Sequence, residues 1–315
     1  MTYLAVVVGL ALLYFGGEAM LKGAVATARR FHLSEIFVGV AIVGFATSAP
    51  ELFVSVDAGL SGRPEIAVGN VVGSNTANLL LILGVGAMIR PIVADREVVS
   101  RDASMMVVAM LAACAFVAVG GGGRLAGAVM FLALVAYIVD GFRTARAAGK
   151  PPEPPPDADD TQLRSPIWIG LMLAGGVGAL AIGAEALLWG AVGIAEAAGL
   201  SDRAIGVSLV ALGTSLPELA TGIVAARRGA SDVAIGNVLG SCVFNVFGIL
   251  GLTALAAPIH LPNGGFLIDI AVMAFAGALI LGLGLYRCAI GRRIGFGMTL
   301  AYVAYVALLY AGMIG

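Results

Sequence analysis

Charge is scarce in this sequence: Lys, Arg, Asp and Glu make up 12% of its 315 residues, about half the share of an average soluble domain. A chain so poor in charge cannot cover a water-facing globule of this size. Cysteine is equally rare. Cys114, Cys242 and Cys288 lack metal-ligand spacing and read as packing residues, so no disulfide framework is implied. The two histidines, His32 and His260, fall in loops, which leaves the apolar runs without a histidine ligand or proton relay. No basic residue precedes the first apolar run, and it continues into Glu18 rather than a small-residue cleavage site, so no cleavable signal is expected. Net charge is −1 and says nothing about partners.

What remains is apolar residues and glycine: 60% hydrophobic, 45 glycines and a mean hydropathy of +1.02. Apolar runs long enough for a ~30 Å hydrocarbon layer recur from end to end. Ten spans are predicted, near 3–27, 34–60, 66–88, 103–120, 124–146, 166–194, 202–226, 232–256, 266–286 and 294–313. With the N-terminus outside, fourteen basic residues between Arg29 and Arg293 collect on the inner side, and only Arg63, Arg124 and Arg203 lie outside. That asymmetry predicts a cytoplasmic (inner) membrane protein with both termini outside, and it leaves no nucleic-acid surface. The lipid bilayer is the expected partner, and no obligate protein partner is predicted.

The sequence also repeats. Residues 18–91 align with 185–258 without a gap at an offset of 167, and 31 of the 74 positions are identical. The chain therefore divides into a first five-helix repeat (1–146), a Pro/Asp-rich cytoplasmic linker (147–165) and a second repeat (166–315). Five spans per repeat is an odd number, so the second half enters the membrane upside down, which places a binding site near the midplane between the halves. The linker's prolines and acids cannot bury apolar area, and Asp157, Asp159 and Asp160 have no surrounding fold to close around an ion. The expected fold is an all-α integral membrane protein, ten helices in two inverted repeats with broken helices at the midplane.

The polar residues concentrate in two copies of one pattern. Gly44-Phe45-Ala46-Thr47-Ser48-Ala49-Pro50-Glu51 matches Ala211-Leu212-Gly213-Thr214-Ser215-Leu216-Pro217-Glu218. A carboxylate at the centre of a membrane helix is unfavourable by about 2.5–3.5 kcal/mol on insertion scales, so the duplication points to one site built from two halves. Thr47 and Glu51 share a helical face. Pro50 and Pro217 lack an N–H and clash with the carbonyl four residues back, so each helix must break and free carbonyls that are tolerable only toward a polar cavity. Downstream, Asn70, Ser74 and Asn78, and likewise Asn237, Ser241 and Asn245, form stripes at four-residue spacing. Gly69 with Gly73 and Gly236 with Gly240 permit close backbone approach. Every donor is a hard oxygen. Such a set suits calcium, which takes about six to eight oxygens, and two carboxylates neutralise one Ca²⁺. Carboxylates this close titrate as a unit, so protons should compete with cations. Glu18 and Glu185 lack oxygen-rich neighbours and read as anchoring or gating groups. Asp57 reads as a vestibule residue, Asp102 and Asp269 as interfacial caps, and Asp140 as a satisfied inner-surface group.

These motifs resemble the two alpha repeats of the sodium/calcium exchanger branch of the calcium/cation antiporter superfamily, prokaryotic type. Here the repeats fall near 39–84 and 206–251, and the family pattern is G-T-S-x-P-E followed by G-N-x-x-G-S-N-x-x-N/D. The resemblance implies that Glu51, Glu218, Thr47 and Thr214 ligate calcium. It assigns sodium to the same four residues with Gly44, Ser48, Ser74, Ala211, Ser215 and Ser241, and sets Asn78 and Asn245 as a polar pair between the glutamates. It further implies antiport, with several sodium ions exchanged for one calcium, net charge movement and calcium extrusion, and with spans one and six sliding over the core. No catalytic residue and no cofactor beyond the transported ions are implied. Ala46 replaces a usual glycine, Gly44 faces Ala211 in the repeat, Cys242 replaces the asparagine matching Asn75, and Asn245 stands where potassium-dependent members carry Asp, which argues against a potassium requirement. Three alternatives stay open: Ca²⁺/H⁺ exchange through the same glutamates, a passive channel, and an intramembrane enzyme using the two carboxylates as an acid/base dyad.

Overall fold

The computed structural model describes residues 1–93, 96–147, 165–197, 211–261, 266–286 and 289–311, with the side chains at 96–99, 195–196, 211 and 310 excepted. Most of the linker (148–164), the opening of the seventh expected span (202–210) and Cys288 lie outside the described residues.

The chain is almost wholly helical. Helix α1 (Thr2–Phe31) is followed by a segmented helix: α2 (Glu35–Val38), a π-helical stretch (Gly39–Val43), α3 (Gly44–Thr47) and, across a break, α4 (Ala49–Leu60). Next come α5 (Pro64–Thr76), a second π-helical stretch (Ala77–Ile82) and α6 (Leu83–Ile89), then α7 (Arg96–Ala118), α8 (Arg124–Ala147) and α9 (Pro166–Ala197). The remainder comprises α10 (Ala211–Gly213), α11 (Leu216–Arg228), α12 (Ser231–Val243), a third π-helical stretch (Phe244–Leu250), α13 (Gly251–Ala256), α14 (Leu267–Leu285) and α15 (Arg292–Tyr310). Two short antiparallel contacts, Gly121–Gly122 with Ile259–His260 and Ile92 with Ile290, tie loops of the two halves together.

Among the described residues, seven helices are long and apolar enough to cross a membrane, and the pair Glu35–Thr47 and Ala49–Leu60, bent by 48°, makes eight. Of the other two expected spans, 202–226 begins outside the described residues, and 294–313 corresponds to α15, which opens on Arg292 and Arg293. Burial separates an inner pair from the rest. Within the 18-residue apolar stretch of each span, 89% is buried in Ser231–Ala256 and 72% in Pro64–Ile89, against 28% in Arg124–Ala147. The two inner spans carry the Asn/Ser stripes, and each passes into a π-helical stretch next to its last asparagine. A π-turn adds one residue to the helical ring and commonly marks a functional site.

Glycine lets the backbones close on one another. A Cβ on Gly236 or Gly240 would stand 2.5 Å from the Ile36 carbonyl oxygen or from Val40 Cα, so α12 lies directly on the segmented helix. For Gly69 and Gly73 the matching approach would involve 203–207, outside the described residues. A second seam was not anticipated from the motifs. Gly9 and Gly16 of α1 meet Gly183 and Gly176 of α9 in antiparallel fashion, and a Cβ on Gly183 would come within 3.0 Å of the Gly9 carbonyl oxygen. These glycines recur every seven residues, which keeps one bare stripe on each helix facing the other.

A leucine at Gly183 should therefore destabilise the protein by about 1–3 kcal/mol through overpacking, read as a lower Tm in detergent. Gly178 on the same helix has open space where its Cβ would be, and Gly178→Leu should leave Tm unchanged or slightly raised. Equal loss in both would refute a tight α1–α9 seam.

Candidate functional site

Both acidic motifs break in the same way. Ser48 (φ −85°, ψ 7°) and Ser215 (φ −89°, ψ 7°) leave helical geometry, and Pro50 and Pro217 sit in the first turn of the helix that follows. Proline supplies no N–H to the carbonyl four residues back, Ala46 in one half and Gly213 in the other, so the chain must re-initiate. The restart places Glu51 and Glu218 in the first turns of α4 and α11, where partial positive charge at a helix N-terminus favours a carboxylate.

The two halves then exchange hydrogen bonds. Ser48 Oγ donates to Glu218 Oε1 at 2.9 Å, and Ser215 Oγ donates to Glu51 Oε1 at 3.4 Å. Each serine reaches the other repeat's glutamate. Both glutamates are about 1% exposed, and among the described residues their Oε2 atoms are buried without a hydrogen-bond partner, as are Asn78 Oδ1 and Asn245 Oδ1. Four buried oxygens from four motif residues thus await a positively charged or proton-bearing partner. Buried acceptors left this way are unfavourable by about 1–3 kcal/mol each and more when charged, so their clustering marks a site that is completed by what it binds.

Around this centre, Thr47 Oγ1 donates within its own turn, to the Val43 carbonyl at 3.0 Å, and lies 3.2 Å from Asn237 Oδ1 across the interface. Ser241 Oγ donates to the Gly44 carbonyl at 3.3 Å, joining α12 to α3. Asn70 Nδ2 donates to the Glu51 carbonyl at 3.1 Å and to Ser55 Oγ at 2.9 Å. Ser74 and Asn78 are buried. The structure therefore pairs Ser48 with Glu218 and Ser215 with Glu51, and joins Thr47 and Ser241 at the Gly44 carbonyl. It does not treat the repeats alike: Thr214 is only half-buried whereas Thr47 is fully buried. Asn237 is fully buried and faces Thr47, while Asn70 is half-buried and braces α4. Ala211 contributes a described backbone only.

Asn75 and Ser55 are contacts that motif reading did not place in the site. Asn75 links to both Cys242 and Asn245; the sequence marked it as the fixed asparagine of the downstream motif, replaced by cysteine in the second repeat, but gave it no partner. Away from the centre, Asp102 is not an interfacial cap. It lies within α7, is buried, and accepts from Tyr137 at 3.0 Å. Asp269 accepts from Tyr305 but does sit in the first turn of α14. Asp140 is satisfied by Arg101 at 2.7 Å. Glu18 takes a two-pronged bond from Arg228 at 2.9 and 2.7 Å, fastening α1 to the helix that carries Glu218. Glu185 and Asp57 are exposed.

Comparison with known proteins gives a consistent picture. The family model described as sodium/calcium exchanger protein matches residues 1–140 and 168–311. The sodium/calcium exchanger MaX1 of Methanosarcina acetivorans is 29% identical, covering 98% of this chain and 98% of that protein. The inner membrane protein YrbG of Escherichia coli is 29% identical, covering 96% of this chain and 95% of its own. Among solved structures, the sodium-calcium exchanger NCX_Mj soaked with Na⁺ and Sr²⁺ superimposes with a TM-score of 0.83 at 28% identity, covering 97% of both chains.

The crossed serine bonds differ in length, and that difference is testable. Removing the hydroxyl at Ser48 should lower stability by about 1.5–3 kcal/mol, as expected for a hydrogen bond to a charged group. Ser215→Ala, losing the longer bond, should cost less. Thermal unfolding in ion-free detergent checks the order, and a larger effect at Ser215 would contradict it.

Proposed function

The chain belongs to the sodium/calcium exchanger family, and from that premise we propose that it exchanges Na⁺ for Ca²⁺ by alternating access, electrogenically and in the direction that extrudes calcium. It is a multi-pass membrane protein, and the reading places it in the cytoplasmic membrane with both termini outside and ten helices in two inverted repeats. The observation that carries the proposal is the crossed pairing of Ser48 with Glu218 and Ser215 with Glu51, together with the unpartnered Oε2 atoms of both glutamates.

In this reading Glu51 and Glu218 are the calcium carboxylates, supported by Thr47 and Thr214. Sodium uses the same four residues with Ser48, Ser215, Ser74, Ser241 and the carbonyls of Gly44 and Ala211. Asn78 and Asn245 lie between the carboxylates. Hard oxygens throughout match hard cations. A divalent ion satisfies both carboxylates at once, whereas sodium neutralises them singly, so the two cargoes exclude one another at shared oxygens. The relation to MaX1 and NCX_Mj, both named as sodium/calcium exchangers, supports the choice of cargo. Net charge movement would couple the cycle to membrane voltage, at about 2.3 kcal/mol per charge per 100 mV.

Ca²⁺/H⁺ exchange is the second reading. It is favoured by one observation: among the described residues the side-chain hydrogen bonds to both glutamates come from hydroxyls, not from cationic groups, so protons could neutralise the same carboxylates.

Uptake of ⁴⁵Ca²⁺ into proteoliposomes separates the two. Sodium-loaded vesicles should take up calcium without a pH gradient, and faster with an inside-positive potential. Uptake driven by a pH gradient alone would replace the sodium reading with the proton one. Glu51→Gln and Glu218→Gln should each reduce uptake to background while the protein still elutes as a folded species, and near-normal flux in either would remove the carboxylate assignment.

A further inference from the structure

Asn75 lies outside the oxygen set assigned above, yet both ends of its amide are engaged across the repeat interface. Its Nδ2 donates to the Cys242 carbonyl at 3.3 Å and approaches Met273 Sδ at 3.8 Å. Its Oδ1 accepts from Asn245 Nδ2 at 3.0 Å. A primary amide has one accepting and one donating end, so these bonds decide which way Asn75 faces. The same bond decides the orientation of Asn245. With Nδ2 committed to Asn75, the end that Asn245 leaves unpartnered in the buried interior is its oxygen, which has no hydrogen-bond partner among the described residues. Turned the other way, Asn245 would present N–H hydrogens to an incoming cation and repel it.

The opposite half is built differently. Asn75 maps onto Cys242 at the 167-residue offset, and a thiol is only a weak acceptor. Cys242 Sγ instead sits 4.0 Å from the Asn75 carbonyl. Asn78, the counterpart of Asn245, has the Cys242 thiol as its side-chain partner instead. Of the two amides between the glutamates, one is held by an asparagine and the other by a thiol, a weaker hydrogen-bonding group.

We propose that Asn75 is a positioning residue that holds the Asn245 amide with its oxygen toward the transported cation, so that a neutral side chain serves as a ligand. This rests on the cation-exchange reading of the glutamate centre. Asn75 touches no ion itself; it acts through Asn245, and the second repeat carries Cys242 in its place.

The test is a coupling experiment on purified full-length protein, with calcium binding measured by titration calorimetry. Asn75→Cys copies the residue that the other half already carries. It should weaken calcium binding about tenfold, the effect of leaving a polar group free to turn the wrong way, while the protein still elutes as a folded species. An aspartate at 245 has two equivalent oxygens and needs no clamp. In an Asn245→Asp background, Asn75→Cys should therefore leave affinity unchanged. An equal loss in both backgrounds, no loss in either, or failure of Asn75→Cys to fold would each overturn the assignment. Absence of calcium binding in the unsubstituted protein is a separate outcome, which would overturn the exchange reading and this inference with it.

Discussion

Two carboxylates brought together in an apolar interior are the constraint from which the rest of this structure follows. An isolated buried carboxylate is strongly unfavourable, and a second one nearby adds repulsion. Glu51 and Glu218 are held there by features that only partly relieve this. Each lies at a helix start, and each accepts one hydroxyl from the opposite repeat. Their Oε2 atoms have no hydrogen-bond partner among the described residues. Full satisfaction of the protein's own groups would leave no affinity for an ion, and none at all would leave the fold unstable. The observed half-satisfaction suits a site that must bind and then release.

Holding such a centre requires backbones to approach more closely than side chains normally allow. Gly236 and Gly240 bring α12 onto the segmented helix, and this contact lets Thr47 meet Asn237 and Ser241 meet the Gly44 carbonyl. The proline breaks supply the complementary feature, free carbonyls where the chain leaves helical geometry. Tight packing and interrupted hydrogen bonding are thus two halves of one device. Outside it, α1 and α9 form a separate pair, zipped by glycines at seven-residue intervals and fastened to α11 by Glu18 and Arg228.

The two acidic motifs break alike in backbone but differ in their side-chain surroundings. Ser48 and Ser215 adopt almost the same dihedral angles, but Thr47 is buried where Thr214 is half-exposed, and Cys242 stands opposite Asn75. Arg228 secures Glu18, whereas the matching residue for Glu185 is Ser61, which carries no charge. In an alternating-access cycle whose two end states interchange the roles of the halves, such differences make those states unequal in energy. Perfect symmetry would have no preferred resting side.

The sequence by itself determined the membrane character, the duplicated motif, the proline breaks and the oxygen-only chemistry. These are properties of composition, spacing and covalent structure: a run of apolar residues, a four-residue helical period, a proline without an N–H. It also named the residues that the structure draws together, because a carboxylate or asparagine in an apolar span stands out locally. What only the tertiary structure decided was partnership. That Ser48 serves Glu218 rather than its own neighbour Glu51, that Gly9 meets Gly183, and that Asn75 sets the amide of Asn245 are relations between residues more than 160 positions apart. No local pattern encodes them, since they arise from how the surfaces of the two halves fit. The buried Asp102–Tyr137 bond escaped sequence reading for the same reason: an acid near a span end looks like a cap until the facing helix supplies its donor.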